Sequence, residues 1–386
     1  MESFLLSAMA AIILILALLL LVGGRRLSPQ HSQARGMEVT EWPAVALIVP
    51  VAGAAPDLAA NLHSLLTQDY PDYQVIFCTK DQDDPATPVI SALIPAYPQA
   101  RLVLSGPAVS CGQKNHNLLA GLRLVRGAPE ILAFCDSTHL APAAWLKGMV
   151  ASIVRGEVQI VSGYHQVLPQ NQGLAAWGRA ITVLFLYLTK PFARLNQPWG
   201  GATAMKRQLF EDLQVAALWS ENVVDDVSLA ARLQAKGLRV GLAAGVSLDT
   251  PMTQDTLSAW RDWLTRQWLY LKFCLPGTWL AMGLLFFLLA GLVLWAGIRC
   301  MAAPLGFATN LAYPGFLLGL TALAAALRNI HPRPPGLGVW LRGFYAAVFM
   351  AAWCHLRTWP RRELCWRGIT YRVGWQGRVL GIKINT

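Results

Sequence analysis

Charge is scarce in this sequence. Asp, Glu, Lys and Arg make up 14% of its 386 residues, against about 25% in soluble globular domains. Acidic residues are the rarer kind, 21 against 32 basic, for a formal net charge of +11. So little charge beside 55% apolar residues excludes a disordered chain, which needs the reverse balance. It also excludes an ordinary soluble enzyme. Paired cysteines are lacking too. Cys78, Cys111, Cys135, Cys274, Cys300, Cys354 and Cys365 are odd in number and scattered, with no Cys-x-x-Cys. That excludes a disulfide framework and a cysteine zinc site. No internal repeat is visible, which argues against a transporter built from repeated spans.

Long apolar runs are present. Phe4–Val22 is long enough to cross a bilayer core. Arg25 and Arg26 follow it instead of preceding it, and no small-x-small cleavage site closes it; it is therefore an anchor and not a signal peptide. The positive-inside rule places those arginines, and the domain after them, in the cytoplasm. Three more candidate spans follow near the end: Trp279–Ala296, Tyr313–Leu327 and Val339–His355. Three full crossings would leave the Arg-rich tail outside, while its charge argues for inside. One segment is therefore expected to be re-entrant or interfacial. The net positive charge suits an anionic partner, and 15 Trp residues favour a membrane surface over nucleic acid. The chain divides into an anchor (1–26), a linker (27–43), an α/β domain (44–259), an interfacial helix (260–274), membrane segments (275–356) and a basic tail (357–386).

The α/β domain is read from periodicity. Val45–Val51, Tyr73–Thr79, Arg101–Leu104 and Glu130–Cys135 are buried-strand patterns separated by helical spacing at Leu58–Thr67 and Asn115–Val125. Such alternation predicts a mostly parallel, Rossmann-like sheet, whose chemistry sits at the carboxyl ends of its strands. Asp81, Asp83, Asp84 and Asp136 lie there. Asp136, in FCDSTH, follows a buried strand directly, a costly place for a carboxylate unless a cation pairs with it. Asp225 and Asp226 open a helix that closes at Lys236–Gly237; they serve the helix dipole or supply a general base. The paired glycines of WGGATA (Trp199–Ala204) permit close backbone approach. Lys114 stands near a helix start and suits a leaving phosphate. The basic-aromatic WRDWLTRQW (Trp260–Trp268) places Arg266 and Trp268 where they suit a diphosphate at the bilayer edge. Gly173–Leu195 reads as a core helix or as one lying on the membrane. His116 and His139 stand isolated.

In order, these motifs resemble those of the ceramide glucosyltransferases, membrane-bound relatives of the GT-A enzymes that include cellulose and chitin synthases. The stretches that carry the resemblance are DYPDYQVIFCTKDQDDPATP (Asp69–Pro88), GQKNHNL (Gly112–Leu118), FCDSTH, GGATAMKRQLF (Gly200–Phe210), VDDVSLAARLQAKGLR (Val224–Arg239) and WRGITYRV (Trp366–Val373). The resemblance implies a GT-A fold and an inverting transfer of a sugar, glucose from UDP-glucose, to a membrane-lipid hydroxyl such as that of ceramide. Hopanoid, sterol and diacylglycerol acceptors stay open, as does a processive polysaccharide synthase. It implies Asp226 as catalytic base, with Asp225 where the family commonly has Glu. Asp81 and Asp83 are expected near the nucleoside. Asp136 is expected on a divalent cation, Mg2+ or Mn2+, that bridges the diphosphate, with Lys114 and Arg266 neutralising the leaving group. The family's (Gln/Arg)-x-x-Arg-Trp falls on Trp263–Gln267. Only Arg266 keeps its place, and Trp268 is expected to supply the missing ring from one residue on.

Overall fold

The computed structural model describes residues 2–27, 39, 41–243, 245–253, 255–302 and 310–384. Helix α1 (Glu2–Leu18) continues through a wide turn at Leu19–Gly23 and a last turn at Gly24–Leu27. Most of the expected linker lies outside the described residues.

The α/β body begins with β1 (Val45–Pro50), α2 (Leu58–Leu66), β2 (Tyr73–Thr79), α3 (Ala86–Leu93) and β3 (Ala100–Leu104). It continues with α4 (Gln113–Arg123), β4 (Ile131–Cys135), α5 (Trp145–Val154), β5 (Ile160–Ser162), β6 (His165–Pro169) and α6 (Leu174–Thr189). Then come β7 (Ala202–Lys206), α7 (Arg207–Asp212), α8 (Val215–Trp219), α9 (Asp226–Ala235), β8 (Gly241–Leu242) and β9 (Leu248–Met252). Seven strands form one sheet in the order β3-β2-β1-β4-β7-β5-β8. The first four run parallel, and β7 runs antiparallel to both neighbours. The strands are apolar on both faces because both faces are covered. Leu47 and Val49 meet Leu62, Trp145 and Met149 on one side; Ala46 and Ile48 meet Leu118, Leu229 and Leu233 on the other. Each such fully buried aliphatic side chain contributes about 1.5–3 kcal/mol. The expected mostly parallel sheet is therefore observed.

Four helices follow: α10 (Leu257–Cys274), α11 (Pro276–Ala302), α12 (Ala312–Arg328) and α13 (Leu337–Thr358). They share one apolar core with α1 and α6, so the helical part of the Gly173–Leu195 segment, Leu174–Thr189, packs into that core. Gly178 on α6 leaves room for the Trp260 indole, and Gly343 on α13 lies against the α6 backbone; small residues let helices approach this closely. Among the described residues, three helices are long and apolar enough to span a membrane: Glu2–Leu27, Pro276–Ala302 and Leu337–Thr358. Helix α12 has 17 residues and is shorter.

The basic tail is folded. Strands β10 (Glu363–Trp366), β11 (Ile369–Val373) and β12 (Val379–Ile384) make an antiparallel sheet. Its Leu364, Tyr371 and Val373 pack on Val223, Val224 and Phe273. Backbone bonds fasten it to the α/β body: the amide of Val223 donates to Gly377 at 3.0 Å, and that of Val379 to Glu221 at 2.8 Å. The Tyr371 hydroxyl accepts the Gln113 amide at 3.1 Å.

Candidate active site

Parallel strands end together, so the segments after β1, β2 and β4 converge on one edge. They line a cleft of about 550 Å³ with Gly53, Asp81, Asp83, Asp84, Lys114 and Asp136. Asp81 pairs with Lys80 at 3.2 Å, and both are well exposed. Asp83 is exposed. Asp84 instead accepts the amides of Gly53 at 2.7 Å and Ala86 at 2.9 Å, which ties the end of β1 to the start of α3.

At the centre of the polar cluster is the Lys114 ammonium. It lies 2.8 Å from Asp136 and 3.0 Å from Asp225, and it donates to the Gly200 carbonyl at 3.1 Å. Three acceptors use its three N–H bonds, so its effect on a leaving diphosphate would be through charge. These carboxylates hold its pKa above the ordinary lysine range despite burial. Asp136 is pushed up by burial, partly offset by Lys114; its side chain is 32% exposed, open to the cleft. Gly200 has no room for a side chain: a Cβ there would sit 2.5 Å from Asp225 Oδ2 and 2.6 Å from Lys114 Nζ.

Asp226 begins α9. It accepts the Gly200 amide at 2.8 Å and the Val227 amide at 2.7 Å. Burial first, then the neighbouring Asp225, pushes its pKa up to about 6, while Lys114 and the two amides act the other way. A carboxylate with that affinity for protons is suited to accept one near neutral pH. Beyond it lies an aromatic wall: Trp199 stacks on His165 at 4.5 Å and meets Tyr164 and His139 at 5.1 Å. His139 is buried, donates to or accepts from Thr250 at 2.7 Å, and is pushed down to about 3 by burial. It is neutral, and His116 is occupied with the Ser105 carbonyl at 2.9 Å. Among the described residues, no three His, Cys, Asp or Glu side chains group into a metal site. A magnesium-like ion needs only one or two carboxylates when substrate phosphates supply the rest. Asp136 fits such a cation carried by a diphosphate, but not an ion held by protein alone.

The structure separates the two α10 residues. Arg266 is half-buried, and its charge acts on Arg367, Arg179 and Tyr270; Tyr270 in turn feels Asp226 and Lys114. Trp268 is not beside the cleft. It packs on Phe286 and His355 and lines an apolar cavity with Leu16, Ile181, Phe185 and Leu264. Two residues are about 200° of helix, so Trp268 faces away from Arg266. Trp263 carries a different cation: the Arg179 guanidinium of α6 lies 4.8 Å above its ring.

Sequence reasoning assigned no role to the tail turn, yet Trp366, Arg367 and Gly368 line the same cleft. The WRG stretch was visible, but its position opposite the strand ends was not. Lys190, just after α6, is a second residue whose surroundings the sequence does not reveal. It is buried, donates to Gln197 at 2.5 Å and Ser162 at 3.2 Å, and is lowered to about 7 by burial.

Comparisons with known proteins identify relatives of this chain. The chain is 23% identical over 225 residues to ceramide glucosyltransferase 1 of Caenorhabditis elegans, covering 56% of this chain and 47% of that one. It is 39% identical over 127 residues to the ceramide glucosyltransferase of Candida albicans, covering 28% and 22%. The matched region thus spans half or less of these curated relatives. Among solved structures, a mannosyltransferase from Pyrobaculum calidifontis in complex with GDP-Man and Mn2+ superposes with a TM-score of 0.53. It is 19% identical and covers 92% of this chain and 99% of its own, a likeness of fold. The model for "Glycosyl transferase family 21" matches residues 4–379, and the chain belongs to that family.

Proposed function

We propose that this protein transfers a hexosyl group from a nucleoside-diphosphate sugar to the hydroxyl of a membrane lipid, with inversion. UDP-glucose is the donor and ceramide the acceptor that the family relationship favours. The observation that carries the reading is the Asp136–Lys114–Asp225 bridge, which joins a cleft of nucleotide size to the high-pKa Asp226.

The roles follow from position. Asp81 and Asp83 face the nucleoside end of the cleft. Asp136 holds the diphosphate end, and a divalent cation bound there with the donor would withdraw charge from the leaving oxygens. Asp226 takes the proton of the acceptor hydroxyl as it attacks the anomeric carbon; the sugar–phosphate bond breaks and the electron pair leaves with the nucleotide. Asp225 is 5% exposed and paired to Lys114, so it is not available as a covalent nucleophile, and a single displacement inverts the anomeric centre. The apolar cavity of about 120 Å³ between α1, α6, α10, α11 and α13 seats part of an acyl chain. The α/β body lies on the cytoplasmic side, where Arg25 and Arg26 follow the first span.

The test is Asp226→Asn. Lipids from cells expressing the wild type should contain a new glycolipid by mass spectrometry, and those expressing the variant should not. The purified variant should still bind the nucleotide sugar. Transfer within a few-fold of wild type would refute the base assignment.

A further inference from the structure

The turn between β10 and β11 is built at a conformational cost. Trp366 pairs with Ile369, so the turn holds two residues, Arg367 at φ 47° and Gly368 at φ 75°. Both are left-handed, the geometry that Asn-Gly fills without strain. An arginine is a poor choice there for folding, and strain retained in a cleft points to use. The side chain reaches across the cleft. Its Nη1 lies 2.7 Å from where a Cβ on Gly53 would be, and the missing side chain at Gly53 admits it. The guanidinium makes no hydrogen bond or ion pair among the described residues. It lies over the ring of the adjacent Trp366, 5.5 Å from the centroid, and the charge of Arg266 acts on it through space. Asp84 and Asp136 also act on Arg367 through space. A guanidinium with no ion-pair partner among the described residues thus lines a cleft that also holds Asp81, Asp83, Asp84 and Asp136. Planar guanidinium forks suit phosphate oxygens.

We propose that Arg367 is a donor-binding residue that grips the diphosphate of the nucleotide, so that the folded tail forms one jaw of the donor site. This rests on the nucleotide-sugar reading above. The tail is then part of the active site and not only a membrane-facing basic segment.

The test uses the full chain in nanodiscs and two probes, UDP and uridine, by titration calorimetry. Arg367→Asn relieves the turn, so its melting temperature should equal or exceed that of wild type. Its UDP affinity should fall between about tenfold and a hundredfold, the scale of a hydrogen bond to a charged group, with uridine unchanged. A purely structural arginine would show the reverse: a lowered melting temperature and UDP held as before. If wild type prefers UDP to uridine and Arg367→Asn keeps that preference undiminished, the Arg367 assignment falls alone. If wild type itself holds UDP no tighter than uridine, the donor reading falls with it.

Discussion

Replacing Lys114 with methionine removes the charge that joins the donor cleft to the candidate base. At the separations of 2.8 and 3.0 Å, each attraction is worth about 6 kcal/mol gross at an effective dielectric constant near 20. The cost of desolvating the ammonium offsets most of that. Breaking a buried pair nonetheless costs about 3–5 kcal/mol, and the 20% exposure of the lysine places this site at the lower end. A protein with ordinary stability survives such a loss with a lower melting temperature. The chemical consequence is more specific. Lys114 lowers the pKa of Asp226, and Asp225 raises it. Without Lys114 only the two amides offset the repulsion between the aspartates, and the pKa of Asp226 rises from about 6. The base works only when deprotonated, so wild-type activity should fall as pH drops through about 6. In Lys114→Met the fall should begin at a pH higher by roughly one unit or more, since one unit needs only about 1.4 kcal/mol. The assay is transfer to a fluorescent lipid acceptor between pH 4.5 and 9 at saturating donor, with melting temperatures in parallel. Adding Asp225→Asn to Lys114→Met should restore stability in part and bring the acid limb back down. An acid limb at the same pH in wild type and Lys114→Met would refute the electrostatic link, whatever the loss of rate.

Two further outcomes test the geometry. Gly200→Ala would set a methyl group against Asp225 and Lys114; transfer should drop at least a hundredfold, and activity near wild type would show that the bridge can shift freely. Ile181→Trp would fill the apolar cavity; KM for long-chain acceptors should rise several-fold with short-chain acceptors little affected, and an equal effect on both would show that no acyl chain sits there.

Much of the site could be read from the chain because parallel strands convert sequence position into spatial position. Asp136 follows EILAFC directly, and Asp81 follows YQVIFCT by one residue; both strands end at the same edge of the sheet. The pairing of Lys114 with Asp225 could not be read, because more than a hundred residues separate them and the contact depends on how α4 and α9 meet. The tail resisted for a different reason. Between Arg357 and Lys383 basic residues dominate the pattern, and the few apolar ones that matter, Leu364, Tyr371 and Val373, reveal their role only against Phe273 and Val223. Trp268 failed through helix geometry: a ring two positions from Arg266 belongs to the other face.

The bonds from Val223 to Gly377 and from Val379 to Glu221 also act as a counting rule. They staple the chain after α13 to the same body that it leaves at α10. A thread that departs from one side of a bilayer and returns to that side crosses an even number of times. Applied to α11, α12 and α13, the rule admits two crossings but not three, in keeping with α12 being the shortest of them. Such a parity lets the arginine-rich end share one side of a membrane with the α/β body despite three apolar helices between them.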